Sequence, residues 1–342
     1  MSAQGRVLQE DERAAFQTTL QEVATSTGDD LEQAREGLTD KDPIALIDGL
    51  EAAAAQDFAK AEQDFAKRLR QAGTIAYAVD VERARRIYGK IAALEPDDHW
   101  THVLLGRLHR VAGDLTAARV AARRALETSA DDRDRMVALA ALGDVARAEG
   151  DLPGAHKAYE DGLVIATSLS ARDPKNTDWL RDLSVSYERI GDVTRAEGDL
   201  PGARKAYEDG LVIRRDLSAR DPKNTEWLRD LSVSYERIGV MAVAEGDLPG
   251  ARKAYEDGLV IATDLSARDP KNAQWLRDLS VSYEKTGDIA ERLGDLPAAV
   301  ARYRERLPLA ERLAALDSSN SQWARDLEIT RRRLAELESK LG

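Results

Sequence analysis

The sequence predicts an all-α protein built as a tandem array of antiparallel helical hairpins, and three observations carry that expectation. Trp179, Trp227, Trp275 and Trp323 fall 48 residues apart, and a fixed period of this size marks stacked supersecondary units rather than one closed core. Residues 173–220 and 221–268 differ at only seven positions, so the repeat is read directly rather than by statistics. Charged residues make up 33% of the chain and aromatics 5%, with Ala, Leu, Glu and Arg abundant, which is a helix-forming composition. The 342 residues therefore do not count domains, because a repeat array grows by addition.

In chain order, 1–60 shows no repeat match. It contains helix-like stretches at 10–25 and 29–38 and a third at 43–72 that starts near Pro43, and it reads as an amino-terminal cap or a linker to another activity. The array occupies 61–320. Its best-matched unit is 173–220, where Pro174 ends the preceding helix and Asn176 or Thr177 can cap the next. Trp179, Leu180, Leu183, Val185, Tyr187 and Ile190 then recur at helical spacing, which predicts a first helix over about 178–197. Gly198-Asp199-Leu200 makes a tight turn, and Pro201 stands at the first helical position, where its missing N–H costs least. The second helix runs to about 219.

The same turn recurs at Gly113-Asp114-Leu115, Gly150-Asp151-Leu152, Gly246-Asp247-Leu248 and Gly294-Asp295-Leu296. Upstream, 65–96 is a divergent unit with Gly73, Ala84 and Tyr88, its turn reduced to Ala78-Val79-Asp80. Downstream, 321–342 places Trp323, Leu327, Leu334, Leu337 and Leu341 on one face with Arg331 to Arg333 outside, the pattern of a polar-backed capping helix.

The residues of these units resemble the tetratricopeptide repeat (TPR) family. Leu105-Gly106, Ala118, Ala122 and Ala125 fit its pattern, as do Leu142-Gly143, Ala155 and Tyr159. Gly191, Ala203 and Tyr207, then Gly239, Ala251 and Tyr255, then Gly287, Ala299 and Tyr303 follow in register. The resemblance covers about 65–342, with units at about 65–98, 99–132, 133–172, 173–220, 221–268 and 269–316. It implies a right-handed superhelical solenoid. The later units exceed the family's length of about 34 residues by roughly two turns per helix, which keeps the apolar faces in phase. Gly162, Gly210 and Gly258 stand where the family usually has Ala, and close approach of a neighbouring helix is the expected compensation for about 1 kcal/mol each.

The net charge of −12 argues against binding a phosphate backbone, which needs clustered Lys and Arg. With no cysteine there is neither a disulfide, a thiolate metal site nor a Cys nucleophile. The opening residues lack an apolar signal segment and no long apolar run occurs, so a cytoplasmic location is expected. Catalytic patterns are poor. The four histidines are His99, His102, His109 and His156; His102 and His109 lie two turns apart, roughly 10 Å, too far to share a metal. Repeated acid pairs such as Glu160-Asp161 read as solvated helix surface, and no Gly-rich phosphate loop follows a strand. No enzyme activity, cofactor or metal is expected.

Recurring residues belong to the scaffold, so the positions where near-identical units differ are the informative ones. Asp192-Val193-Thr194-Arg195 becomes Val240-Met241-Ala242-Val243, and Arg214-Arg215 becomes Ala262-Thr263. In the TPR family the first helix of each hairpin lines a concave groove. The resemblance carries those groove positions onto Arg107 and Arg110, Asp144 and Arg147, Glu188, Asp192 and Arg195, Glu236, Val240 and Val243, and Glu284, Asp288 and Glu291. Such a groove is basic at its amino-terminal end, apolar in the middle and acidic at its far end. It would suit a peptide or helix with an apolar anchor and a basic end. Asp144, Asp192 and Asp288 replace the Asn of the family's carboxylate clamp, which disfavours a cochaperone of that kind. Long arrays of this type resemble the sensor or regulatory parts of bacterial signalling proteins. The alternative is self-assembly, through array ends or the last helix as a dimer face.

Overall fold

In the computed structural model, the structure describes residues 62–317 and 320–342, together with Thr18, Ile44 and 47–51. The stretches expected at 10–25 and 29–38, apart from Thr18, and 43, 45–46 and 52–61 of the third lie outside these residues. The described chain is all-α. Its helices are α1 (Glu62–Val79), α2 (Val81–Leu94), α3 (His99–Val111), α4 (Leu115–Glu127), α5 (Asp132–Glu149), α6 (Leu152–Arg172), α7 (Thr177–Ala196), α8 (Leu200–Arg220), α9 (Thr225–Glu245), α10 (Leu248–Arg268), α11 (Ala273–Arg292), α12 (Leu296–Leu316) and α13 (Ser321–Leu341). The chain divides into two compact units, Met1–Ile165 and Ala166–Gly342. The first contains the hairpins α1–α2 and α3–α4, with α5 and the first turns of α6. The second contains α7–α8, α9–α10, α11–α12 and the single helix α13.

The turn chemistry read in the sequence is realised at each tight connection. Gly113, Gly150, Gly198, Gly246 and Gly294 all have φ between 81° and 90°, a left-handed conformation that suits a residue without Cβ. The Asp that follows each one caps the next helix: Asp199 accepts from the Gly202 N–H at 3.0 Å and Asp247 from the Gly250 N–H at 2.9 Å. In the second unit the first helices and α13 are capped by asparagine. Asn176, Asn224, Asn272 and Asn320 each accept from the backbone N–H of the tryptophan three residues on, at 3.1–3.2 Å. Asn224→Ala is expected to lower stability by about 1 kcal/mol, with a matching fall in urea midpoint and no change in binding behaviour. An unchanged midpoint would show that the cap is redundant with its neighbours.

Packing within a hairpin rests on a glycine beneath a tyrosine ring. A Cβ added at Gly191 would lie 2.6 Å from the Tyr207 ring, and one at Gly287 would lie 2.9 Å from that of Tyr303. The tyrosine series is thus interhelical packing. In the second unit each ring is then sealed by the helix that follows its hairpin: Met241 packs on Tyr207, Ile289 on Tyr255 and Leu337 on Tyr303. Because these three are 48 residues apart, α13 occupies the place of a further first helix, and its remaining face is exposed. Gly210 makes the expected close approach, with a Cβ there falling 3.2 Å from the Ser184 carbonyl oxygen.

Adjacent hairpins of the second unit are also tied by ion pairs 49 residues apart, Arg181 to Asp230 at 2.9 Å and Arg229 to Asp278 at 2.7 Å. The expectation that Arg331 to Arg333 all face outward is corrected. Arg332 remains exposed and Arg331 reaches Glu311, but Arg333 turns inward to Glu291 and lies over the Tyr303 ring. Its long stem lets the charged head reach back to the acids of α11.

Candidate functional site

In the second unit the expected partner-binding positions sit on α7, α9 and α11, one turn or so apart on each helix. Most of those on α7 and α11 are engaged within the chain. Glu188 accepts from Arg214 at 2.6 Å and lies 3.3 Å from Arg237 of the next hairpin. Asp192 accepts from the Tyr207 hydroxyl at 2.7 Å and pairs with Arg237 at 3.2 Å. On α11, Glu284 pairs with Arg306 at 2.5 Å, and Asp288 accepts from the Tyr303 hydroxyl at 2.6 Å. Glu291 is held by Arg333 and by Lys340 at 2.7 Å. The acidic side chains of α11 are therefore met by α12 and α13.

Between them, α9 differs. Val240 and Val243 pack partly against the cluster of Ala242, Ala251, Tyr255 and Ile289, and Glu236 makes no ion pair among the described residues. Arg195 on α7 is exposed. In the first unit, Arg107 and Arg110 on α3 are partly exposed, Asp144 accepts from the Tyr159 hydroxyl at 2.6 Å, and Arg147 on α5 is exposed.

The electrostatics follow this division. Burial works to raise the Glu188 carboxyl, but Arg214, then Arg237 and Arg189, outweigh it and hold it below the ordinary value. Glu291 is likewise lowered, first by its hydrogen bond from Lys340 and against some burial. Burial and then the Glu236 charge push the Tyr255 hydroxyl up to about 12, so it stays a neutral phenol throughout the physiological range.

Two cavities flank Glu236. One of about 190 Å³ lies among α9, α10 and α11, with Ser232, Glu236, Gly258, Ala262, Trp275 and Lys285 in its wall. The other, about 280 Å³, lies among α11, α12 and α13 and is lined by Arg277, Glu284, Lys285, Arg306, Gln322 and Trp323. Glu236, Arg277 and Lys285 border both. The resemblance that identified the groove positions gave no sign of either cavity. The unit difference Arg214 to Ala262 was the visible trace of the first of them.

Two of the histidines bond to backbone carbonyls within the fold. His99 Nδ1 and His102 Nε2 lie 2.8 and 2.7 Å from the carbonyl oxygens of Ala125 and Pro96. No group of three or more His, Asp or Glu side chains gathers as metal ligands among the described residues. No helix among those residues is long and apolar enough to cross a membrane.

No family model and no curated protein matches the sequence. Among solved structures, the chain is similar to the apo form of RapI at 12% identity, over 94% of this chain and 86% of that one, with a TM-score of 0.56. It is also similar to BtubC (BKLC) from P. vanneervenii at 18% identity, over 80% of this chain and 92% of that one, with a TM-score of 0.51. At such identities the likeness is one of fold. Together with the Gly–Tyr hairpins it makes this a TPR-like α-helical repeat fold.

Proposed function

We propose that the chain is a non-catalytic interaction scaffold that binds a peptide or helix along the first-helix face, as the regulatory part of a signalling system. One observation carries the reading. Units that are otherwise near-identical diverge on this face, from Asp192 and Arg195 to Val240 and Val243 and back to Asp288 and Glu291, while the residues that fold them stay constant. Intramolecular pairing of Glu188, Asp192, Asp288 and Glu291 concentrates the available chemistry at Glu236 and the valines of α9. A partner with an apolar anchor beside a basic residue matches that combination. A repeat scaffold orders its side chains before the partner arrives, which lowers the entropic cost of binding.

The test is to pan a displayed random-peptide library on the purified chain. Enriched sequences should share an apolar residue next to a basic one and lose binding to a Glu236→Lys variant that melts like the parent, while Arg195→Glu keeps or strengthens it. Val243→Glu is a poorer probe because Val243 also packs on the α9 core cluster. Failure to enrich any peptide over a control surface would sink the scaffold reading.

A further inference from the structure

We propose that the cavity among α9, α10 and α11 receives the guanidinium of an arginine side chain presented by a partner segment. The inference deepens the scaffold reading and rests on it for the source of that side chain. Its basis is a comparison within the molecule, because the neighbouring hairpins of the second unit each set an arginine of their own against the equivalent glutamate and serine.

In α7–α8 that arginine is Arg214, only 4% exposed. Its Nη2 donates to Glu188 at 2.6 Å, its Nη1 to the Ser234 hydroxyl at 2.8 Å and to the Asp230 carbonyl at 3.1 Å, and its Nε to the Ser184 hydroxyl at 3.3 Å. The space left around it is about 10 Å³. In α11–α12 the arginine comes from one turn earlier on the second helix. Arg306, 3% exposed, points its Nη2 at Glu284 at 2.5 Å and its Nε at the Ser280 hydroxyl at 3.4 Å.

The middle hairpin keeps the acceptors and omits the arginine. Glu236, Ser282, Asp278 and Ser232 stand 48 residues beyond Glu188, Ser234, Asp230 and Ser184. Gly258 holds the position of Arg306 and Ala262 that of Arg214. The space is about 10 Å³ beside Arg214 and about 190 Å³ in the middle hairpin, and its counterpart beside Arg306, which reaches its acid from one turn earlier, measures about 280 Å³. The residues that surround Arg214 have counterparts in the wall of the wider cavity, including Tyr255 for Tyr207 and Lys285 for Arg237.

A planar fork with five donors matches four acceptors spread over two helices better than a single ammonium can. Trp275, Tyr255 and Leu265 in the wall offer apolar surface to the aliphatic stem. Glu236, Trp275 and Lys285 are each partly exposed, so the cavity is reachable from solvent. The cations on its wall do not disqualify it, since Arg237 stands at the Lys285 position and shares Glu188 with Arg214. Arg277 and Lys285, which make no ion pair among the described residues, favour an acidic group next to the incoming arginine.

The experiment titrates the full chain with N-acetyl-arginine methylamide, following backbone amide NMR signals, with the lysine and citrulline analogues as controls. Saturable shifts centred on Gly258 and Ala262 are expected for arginine alone. Glu236→Gln should weaken the response about tenfold or more, by loss of a charge-assisted bond. Ala262→Arg, which copies Arg214, should abolish it while leaving the fold intact by circular dichroism; Gly258→Arg, which copies Arg306 and would occupy the Glu236 and Ser232 acceptors, supplies a second block if the first fails to fold. Equal response to lysine or citrulline, or arginine binding that survives closure, overturns the proposal. Peptides that bind without any arginine preference and are indifferent to closure would overturn it while sparing the scaffold. Arginine binding with no peptide enrichment would support the cavity and sink the scaffold reading.

Discussion

Arg214→Ala is expected to lower the stability of the second unit by about 3 kcal/mol, the range found when one partner of a buried ion pair is removed. Glu188 would lose its 2.6 Å partner, and the hydroxyls of Ser184 and Ser234 a donor each, inside a hairpin that is otherwise close-packed. Arg237 stays within 3.3 Å of Glu188 and keeps the loss from being larger. The pH dependence has a definite sign. Glu188 is held below its ordinary value of 4.5 in the folded chain, so its contribution is fully present above that value and is lost as pH falls through the depressed one. Denaturant melts at pH 7 and at decreasing pH below about 4 should therefore show the gap between parent and variant closing on the acid side. A gap that is small at pH 7, or that does not depend on pH, would mean that Arg214 acts through packing rather than charge.

Tyr303→Ala is expected to cost about 4 kcal/mol, the scale of a large aromatic deleted from a core. The ring is 2% exposed and joins Ala290, Ala299 and Val300 to Leu337 of α13. Its hydroxyl donates to Asp288 at 2.6 Å, and Arg306 and Arg333 lie 5.8 Å from the ring centre. Tyr303→Phe should cost only about 1 kcal/mol, the net worth of one hydrogen bond. Since each repeat contacts mainly its neighbours, the damage should be local. Hydrogen exchange should show α13 and the α11–α12 hairpin opening first in Tyr303→Ala, with α7–α8 protected as in the parent. Uniform loss of protection across the second unit would indicate a single cooperative core in place of an additive array.

Helices, turns and caps were legible because they depend on residues close in sequence. Gly198-Asp199-Leu200-Pro201 contains the left-handed residue, the capping carboxylate and the preset φ of the next helix. The partner of each tyrosine was legible in part, since the Gly–Ala–Tyr pattern of the resemblance implies packing. That Asp192 and Asp288 accept the tyrosine hydroxyls was not, because the pairing joins two helices in a geometry no local pattern records. The groove set was found by register alone, and register cannot say which of its charges are already satisfied.

The sequence by itself determined the all-α class, the hairpin period, the turn chemistry and the face on which the units differ, all consequences of spacing along one chain. Only the tertiary structure decided that Arg333 turns inward and that the acidic side chains of α11 are met by α12 and α13. It also decided that Arg214 and Arg306, at different positions in their units, are set against the equivalent glutamate and serine. The physical reason is reach. An arginine side chain extends across a helix–helix contact, so the group it serves is set by the stacking of neighbours and not by its own place in the repeat.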